Sequence, residues 1–328
     1  MPQEVTTGGA QPWVTAVVTT YKRPELAKRA IRSVLAQAYQ PLEIILVEDG
    51  TDSGIRAWLS EQGLNQVRYL IHDQNKGLAA ARNTGLRNAR GKYVAYLDDD
   101  DEWLPDKLAR QVDLAEREKG KGSVAVVYCG AQIVGSDGQL LREARPRLRG
   151  DIRKEIAKKG LYTIPSSCLF RRAALMQVDG FDENLVSHID HDIWLQLAEQ
   201  GYAAEYVDEC IVQVHEHRGS RMTTDIQARL LATKAFFEKW QPEFERWFGK
   251  RKGQTFASHY LARIMAGLGL RSAQSGMRRQ GAKCFLSAIR HHPTRPSYYA
   301  DMVAVLLGVR AYHTLMRLVR YLREARNE

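Results

Sequence analysis

The stretch Gly91-Lys-Tyr-Val-Ala-Tyr-Leu-Asp-Asp-Asp-Asp101 governs the reading of the chain. Tyr93 to Leu97 is short, apolar and rich in strand-forming residues, so it reads as a buried strand. It runs straight into four carboxylates. Four adjacent carboxylates repel one another, and something must offset their charge. A divalent cation can do so, since Mg2+ is held by one or two carboxylates together with substrate phosphates. A solvated acidic turn opening the next helix is the alternative.

Working outward, strands and helices alternate on both sides. Val14–Thr19, Leu42–Val47, Val67–Ile71 and Val124–Tyr128 read as further strands. Between them Pro24–Ala38, a short segment through Ile55 and Leu59, Leu78–Ala89 and Pro105–Lys119 read as helices, the first with Pro in its opening turn. Near-continuous apolar strands separated by helices predict an α/β fold with a mostly parallel sheet covered on both faces. Ligands of such sheets bind outside the carboxyl ends of the strands. That rule selects Thr19–Arg23, Glu48–Asp52, His72–Gly77 and Asp98–Asp101, all polar. From about Gly135 to Thr224 the pattern is irregular, with a hairpin signal at Ser136-Asp-Gly138 and a helix over Asp190–Gln200. From 225 to 328 the chain reads as all-helical.

With 328 residues, 44% hydrophobic and 26% charged, a wholly disordered chain and a fibre are both excluded. The four cysteines, Cys129, Cys168, Cys210 and Cys284, form no CxxC pair, which fits reduced thiols of a cytoplasmic protein rather than a zinc ribbon. The run Met302–Val309 is too short to span a bilayer, and MPQEVTTGGAQPW does not read as a signal peptide. Residues 251–328 hold 14 Lys and Arg against 3 Asp and Glu, while the remainder holds 34 against 35. The basic character therefore belongs to the tail, which can meet nucleic acid, an anionic membrane or an acidic protein.

Several side chains could carry chemistry, each with a plainer reading beside it. Asp49 can accept hydrogen bonds from a base or ribose, or simply hold its loop as an Asx turn. Arg82 can fork onto phosphates or carboxylates, or lie on a helix surface with Asn83 bonding locally. Asp190 and Asp192, two apart on a helix, cannot both face one cleft. One could take a proton from an incoming hydroxyl, and either could cap the helix. His215 and His217 share one face of a strand and could complete a metal shell, without the spacing of a dedicated zinc site. Arg218 and Arg221 are candidate phosphate ligands, or ordinary surface residues.

Taken together, Val18-Thr-Thr-Tyr-Lys-Arg-Pro24, Ile45-Leu-Val-Glu-Asp-Gly50, Asn75-Lys-Gly77, Ala81-Arg-Asn-Thr-Gly85, Gly91–Asp98 and Gly180-Phe-Asp-Glu183 leading to Asp190 resemble the family 2 glycosyltransferases. The resemblance covers about the first 225 residues. It implies the GT-A fold, a Rossmann-like sheet flanked by helices, followed here by a C-terminal all-helical extension. It implies a flexible lead-in over 1–12 and a catalytic domain over 13–224, with a nucleotide-sugar half (13–128) and an acceptor half (129–224). It also implies a nucleotide-sugar donor, usually a UDP-sugar, and Mn2+ or Mg2+ as cofactor. Asp49 would read the base with Thr19 and Tyr21 nearby, and Arg23, Lys76 and Arg82 would lie on the nucleotide side. Asp98-Asp99-Asp100 matches the DxD motif, with Asp98 near the ribose and Asp100 on the metal. Asp190 would be the general base of an inverting transfer to a hydroxyl of a saccharide or lipid-linked saccharide. His215 or His217 would assist the metal, and Arg218 and Arg221 the diphosphate. Two departures stand out: Glu48 where Asp is frequent, and Ile189 where an acidic residue often precedes the catalytic Asp.

Beyond the resemblance, Trp240, Phe244, Trp247 and Phe248 are spaced to pack a helix on the catalytic domain. Tyr312–Arg323 mixes apolar and basic residues in a helical pattern, so 309–328 could lie on the anionic inner face of the plasma membrane or form a subunit contact. The tail has no nucleic-acid motif, and no nucleic-acid partner is expected. A sugar nucleotidyltransferase would show a Gly-rich loop after the first strand, which Thr19–Pro24 lacks. A non-catalytic nucleotide-sugar-binding protein remains a rival that Ile189 permits.

Overall fold

The computed structural model describes residues 13–118, 123–135, 137–159, 164–215 and 226–308. The N-terminal stretch 1–12 and the amphipathic stretch 309–328 lie outside the described residues. The chain divides into two compact units, with the boundary between Met222 and Thr223.

In the first unit the elements alternate as β1 (Val14–Thr20), α1 (Pro24–Leu35), β2 (Leu42–Glu48), α2 (Ile55–Glu61), β3 (Val67–Ile71), α3 (Leu78–Asn88) and β4 (Tyr93–Asp98). Then come β5 (Asp101–Trp103), α4 (Lys107–Arg117), β6 (Val124–Val134), β7 (Leu140–Ala144), β8 (Gly150–Asp151) and α5 (Ile152–Lys159). A 3₁₀ turn at Pro165–Ser167 leads into β9 (Cys168–Arg171), α6 (Arg172–Gln177), α7 (Ile189–Glu199) and β10 (Ala203–His215).

The strands form one sheet in the order β3-β2-β1-β4-β9-β6-β10-β5, with β7 on β6 and β8 on β10. β3, β2, β1 and β4 are parallel, as are β6 and β10. β9 is antiparallel to both neighbours and joins the two parallel blocks. All seven residues of β1 are buried, as expected of a central strand covered on both faces. The register sets Thr19 beside Asp98 and Thr20 beside Glu48, so the carboxyl ends of β1, β2 and β4 come together.

The acidic tetrad is not a simple turn. Asp98 ends β4 and Asp101 begins β5, which pairs antiparallel with Val212–Val214 of β10 at the far edge of the sheet. The tetrad is thus the crossing point between the two blocks.

α1 buries Ala27, Ala30, Ile31 and Val34, a stripe at helical spacing. α3 presents Ala79, Ala80, Ala81 and Gly85 to the protein interior, so its backbone can come close to the sheet. A Cβ on Gly85 would overlap Val17 Cγ1 and lie 3.0 Å from Cγ2.

The second unit holds α8 (Ile226–Phe248), α9 (Lys250–Gln274), α10 (Arg278–His291) and α11 (Pro296–Leu307). The aromatic stripe of α8 has ring partners on α9, inside this unit: Phe244 meets Phe256 at 4.9 Å between centroids, and Phe248 meets Phe256 at 5.2 Å. A second cluster joins Met265 and Leu268 of α9, Phe285 and Ala288 of α10, and Tyr298 and Val305 of α11. Among the described residues no helix is long and apolar enough to cross a membrane.

Because Gly85 leaves no room for a side chain between α3 and β1, Gly85→Ala is expected to destabilise the first unit by about 1–3 kcal/mol. Urea unfolding should show a lower midpoint with an unchanged slope.

Candidate active site

The site is built around α3. Its Arg82 side chain is wholly buried, yet it carries a full charge. Arg82 Nη2 donates to Asp98 Oδ1 at 2.8 Å, and Nη1 donates to Asp190 Oδ1. One guanidinium therefore holds the end of β4 and the start of α7 together. The rings of Phe181 and Tyr96 line the guanidinium, with centroids 5.2 and 5.9 Å from Arg82 Cζ. Buried charge of this kind is tolerated only when paired.

Asn83, the next residue, binds the loop that leads to α7. Its Nδ2 donates to Phe181 O and to Glu183 Oε1, both at 2.8 Å, and its Oδ1 accepts the Phe181 N–H at 2.8 Å. The pair at 82 and 83 thus grips Asp190 directly and the preceding loop through its backbone.

The side chain of Asp190 is 32% exposed and that of Asp98 is 27% exposed. Desolvation raises the Asp190 pKa, Asp98 adds to the rise, and Arg82 opposes it. Asp192 points elsewhere. It is fully buried and accepts a hydrogen bond from Gln196 Nε2 at 2.6 Å.

Every member of the tetrad is partnered, with Arg23 shared between Asp99 and Asp100. Asp98 has Arg82. Asp99 accepts from Thr20 Oγ1 at 2.7 Å and from Arg23 Nη1 at 3.2 Å. Burial, helped by Asp100 and Asp98, pushes the Asp99 carboxyl up to about 6 against the pull of Thr20 and Arg23. Asp100 pairs with Arg23 at 3.4 Å. Asp101 accepts from Ser166 Oγ at 2.6 Å, and the same oxygen accepts the Asp98 N–H at 3.2 Å. The charge of the tetrad is therefore met only in part: Arg82 is shared with Asp190, Arg23 serves both Asp99 and Asp100, and the hydroxyls of Thr20 and Ser166 are neutral, which leaves net negative charge at this corner.

Asp49 is a hub. Its backbone N–H donates to Thr20 O at 2.9 Å. Its carboxylate accepts from Lys76 N, Gly77 N and His72 Nδ1, each at 2.8 Å. An ionised carboxylate only accepts, so His72 Nδ1 carries the hydrogen, while Nε2 meets Thr84 Oγ1 at 2.9 Å. Three of about four acceptor positions are thus in use. Glu48 faces other partners: Oε2 accepts from Tyr69 Oη at 2.5 Å and Oε1 from Ser53 N at 3.1 Å, which ties the loop after β2 to β3.

Thr19 is buried at the β1 end, and Tyr21 is half-buried beyond it with Lys22 over its ring. The Lys76 ammonium is exposed and pairs with Asp73. His215 Nε2 lies 2.8 Å from Glu102 Oε1, which also pairs with Arg29, so this nitrogen is engaged by a neighbouring strand rather than turned to Asp100. His217, Arg218 and Arg221 lie outside the described residues.

Among the described residues no three His, Cys, Asp or Glu side chains converge as a ready-made metal cage. What the tetrad offers is the partly open oxygens of Asp98 and Asp100, 27% and 20% exposed at the side chain. That donor set fits Mg2+ or Mn2+ bound through one or two carboxylates, with the remaining ligands from phosphate and water.

Residues 15–179 match the family model for glycosyl transferase family 2, half of the chain. The chain belongs to that family. A curated relative, the putative teichuronic acid biosynthesis glycosyltransferase TuaG of Bacillus subtilis, is 27% identical over 74% of this chain and 88% of its own length. Three rickettsial glycosyltransferases match at 28–30% identity, and there this chain spans only about a third of the relative's length. The fold resembles TarS 1–349 of S. aureus, solved in complex with UDP-GlcNAc, with a TM-score of 0.60 and 17% identity over 91% of each chain. It also resembles the Pyrobaculum calidifontis mannosyltransferase PcManGT in complex with GDP-Man and Mn2+, with a TM-score of 0.55 and 20% identity over 95% of this chain and 85% of that one. The domain therefore has the GT-A fold.

Ser166 has no signal in the sequence, and Thr20 and His72 stand there only within the strand-end stretches Thr19–Arg23 and His72–Gly77, with no role of their own. Each acts on a carboxylate that folding brings to it. Asn83 sits in a quoted motif, but its plainer reading as a local capping residue gives way to a long-range tie.

Removing the Asn83 amide strands the Phe181 N–H and C=O. Asn83→Ala is expected to cost about 1–3 kcal/mol of stability. It should also loosen the 181–183 loop, giving faster amide exchange at Phe181 while Val17 in β1 remains protected.

Proposed function

We propose that this protein transfers a sugar from a nucleotide-diphosphate sugar, most simply a UDP-sugar, to a hydroxyl of a saccharide or lipid-linked saccharide, with inversion at the anomeric carbon. The observation that carries the proposal is the Arg82 bridge. It sets the Asp98 and Asp190 carboxylates at one corner, at the carboxyl ends of the parallel strands. Family membership and the sugar nucleotides in TarS and PcManGT support the donor class. The name of TuaG, which gives it a role in teichuronic acid biosynthesis, supports a saccharide acceptor.

Asp190 serves as general base. Its raised pKa makes it a stronger base than an ordinary aspartate, and Arg82 opposes the rise by favouring the ionised form. It takes the proton of the acceptor hydroxyl as that oxygen bonds to the anomeric carbon. The bond from that carbon to the diphosphate oxygen breaks, and the nucleotide diphosphate leaves with the electron pair. Attack and departure occur on opposite faces, so a single displacement inverts the centre. Asp49 and the backbone of 76 and 77 bound to it form the base side, where an incoming base shares the remaining acceptor position of Asp49. Arg23, which pairs with Asp99 and Asp100, would meet a phosphate of the donor. Asp100, with Asp98, would hold Mn2+ or Mg2+, which when bound supplies charge stabilisation for the departing diphosphate.

Asp190→Asn is expected to lower kcat about 10²–10⁴-fold with donor binding retained. In the wild type, kcat/KM should fall with decreasing pH along a limb above the ordinary aspartate range, because a base is lost as it takes its proton. Donor screening by nucleotide release checks both points, and turnover by the variant at the wild-type rate overturns the role of Asp190. Exhaustive chelation should stop turnover, and Mn2+ or Mg2+ should restore it. Full activity without metal would remove Asp100 from its assignment.

A further inference from the structure

From residue 250 to 308 the chain carries ten Lys and Arg and a single acidic residue, Asp301. Three helices of this region meet at one end. Met277 N–H donates to Ser272 O at 2.8 Å across the α9–α10 turn. A Cβ on Gly281, in the second turn of α10, would stand 2.8 Å from Gly269 O of α9 and 3.1 Å from Val305 Cγ1 of α11. Gly308, just past α11, lies under the Arg278 guanidinium, with its Cβ position 3.0 Å from Nη2. The C-terminal ends of α9 and α11 and the start of α10 are therefore neighbours.

That end exposes four large apolar side chains, Leu270, Met277, Leu306 and Leu307, between 43% and 59% open to solvent. Arg271, Arg278 and Arg279 are exposed around them. The outer face of α10 continues the pattern with exposed Arg279, Lys283, Leu286 and Arg290, at helical spacing.

A single exposed leucine needs no explanation, and Arg271 in the last turn of α9 suits the dipole of its own helix. Arg278 and Arg279 occupy the first turn of α10, where a cation opposes the dipole, and that turn has no acidic residue. Arg278 reaches over Gly308 at the end of α11, where a cation suits that helix's dipole, whereas Arg279 only opposes the dipole of α10. Arg279, the exposed Lys283 and Arg290 beyond it, and the apolar side chains of this end together match an anionic lipid surface. The apolar groups enter the acyl boundary and the guanidinium groups meet phosphate.

We propose that the α9–α10 turn and the end of α11 form a docking surface for an anionic lipid bilayer. Leu270, Met277, Leu306 and Leu307 enter the interface, and Arg278 and Arg279 bind headgroup phosphates. The surface belongs wholly to the helical unit and does not depend on the sugar-transfer reading.

The test is flotation of the full chain with vesicles of phosphatidylglycerol and phosphatidylcholine, against vesicles of phosphatidylcholine alone. The wild type should float with the anionic vesicles, weakly with the neutral ones, and less as salt rises. The double variant Arg278→Ser/Arg279→Ser should lose about tenfold or more in partitioning, from roughly 1 kcal/mol per basic residue. Met277→Ser/Leu307→Ser should lose binding at high salt, where the apolar contribution dominates. Arg279→Glu, at an exposed position, serves if the others fold poorly. Nucleotide release from a soluble donor should be unchanged in all of them, so a failure here is distinct from a failure of the catalytic reading. Unchanged flotation of the variants, equal binding to both vesicle types, or loss of a dimer without loss of flotation would overturn the proposal, the last by assigning the face to a second copy of the chain.

Discussion

A guanidinium sealed from water keeps its place only while its charge is met. Arg82 meets that condition through two carboxylates that lie 16 and 108 residues further along the chain. The demand works in both directions. Were Asp98 and Asp190 left facing each other without Arg82, their like charges would repel across the corner. The ion triad therefore fixes where α7 begins relative to the end of β4, and Asn83 secures the approach to α7 through Phe181 and Glu183. α3 is close enough to the sheet to do this because its inner face is alanine and glycine.

The acidic corner gains a different meaning in this setting. Four carboxylates in sequence suggest a missing cation, but Arg82, Arg23, Thr20 and Ser166 already attend to them. Asp99 and Asp101 are turned into protein and hold the crossing from β4 to β5. Asp98 and Asp100 keep open surface, so the same run of residues divides into a structural half and a half left for ligand. The two neighbouring acids after β2 divide in the same way: Glu48 ties down the loop through Tyr69 and Ser53, while Asp49 collects the backbone of 76 and 77.

Much of the fold was legible beforehand. β1, β2, β3 and β4 are short apolar runs between helices of clear periodicity, and their observed limits differ from the expected ones by a residue or so. The second block was harder to see. β6 continues from Tyr128 to Val134 through Cys-Gly-Ala-Gln, and β10 begins at Ala203 through Glu205, Asp208 and Glu209, none of which looks like a buried strand. Register shifts between these two strands absorb the irregular residues, which no periodic template anticipates. β5, three residues long with two of them acidic, exists only because β10 supplies its partner.

Local chemistry, acting over the few residues that share a strand or a helical face, was enough to establish the α/β alternation, the polar strand ends, and the candidacy of Asp49, Arg82, Asp98 and Asp190. Which of these would touch was left to the folded chain. A hydrogen bond or ion pair forms within about 3 Å, whereas a sequence specifies spacing only along its own length. The link from Arg82 to Asp190, the clamp of Ser166 on Asp98 and Asp101, and the capture of His215 by Glu102 are all meetings across the sheet, and they depend on strand order and register that no single segment encodes.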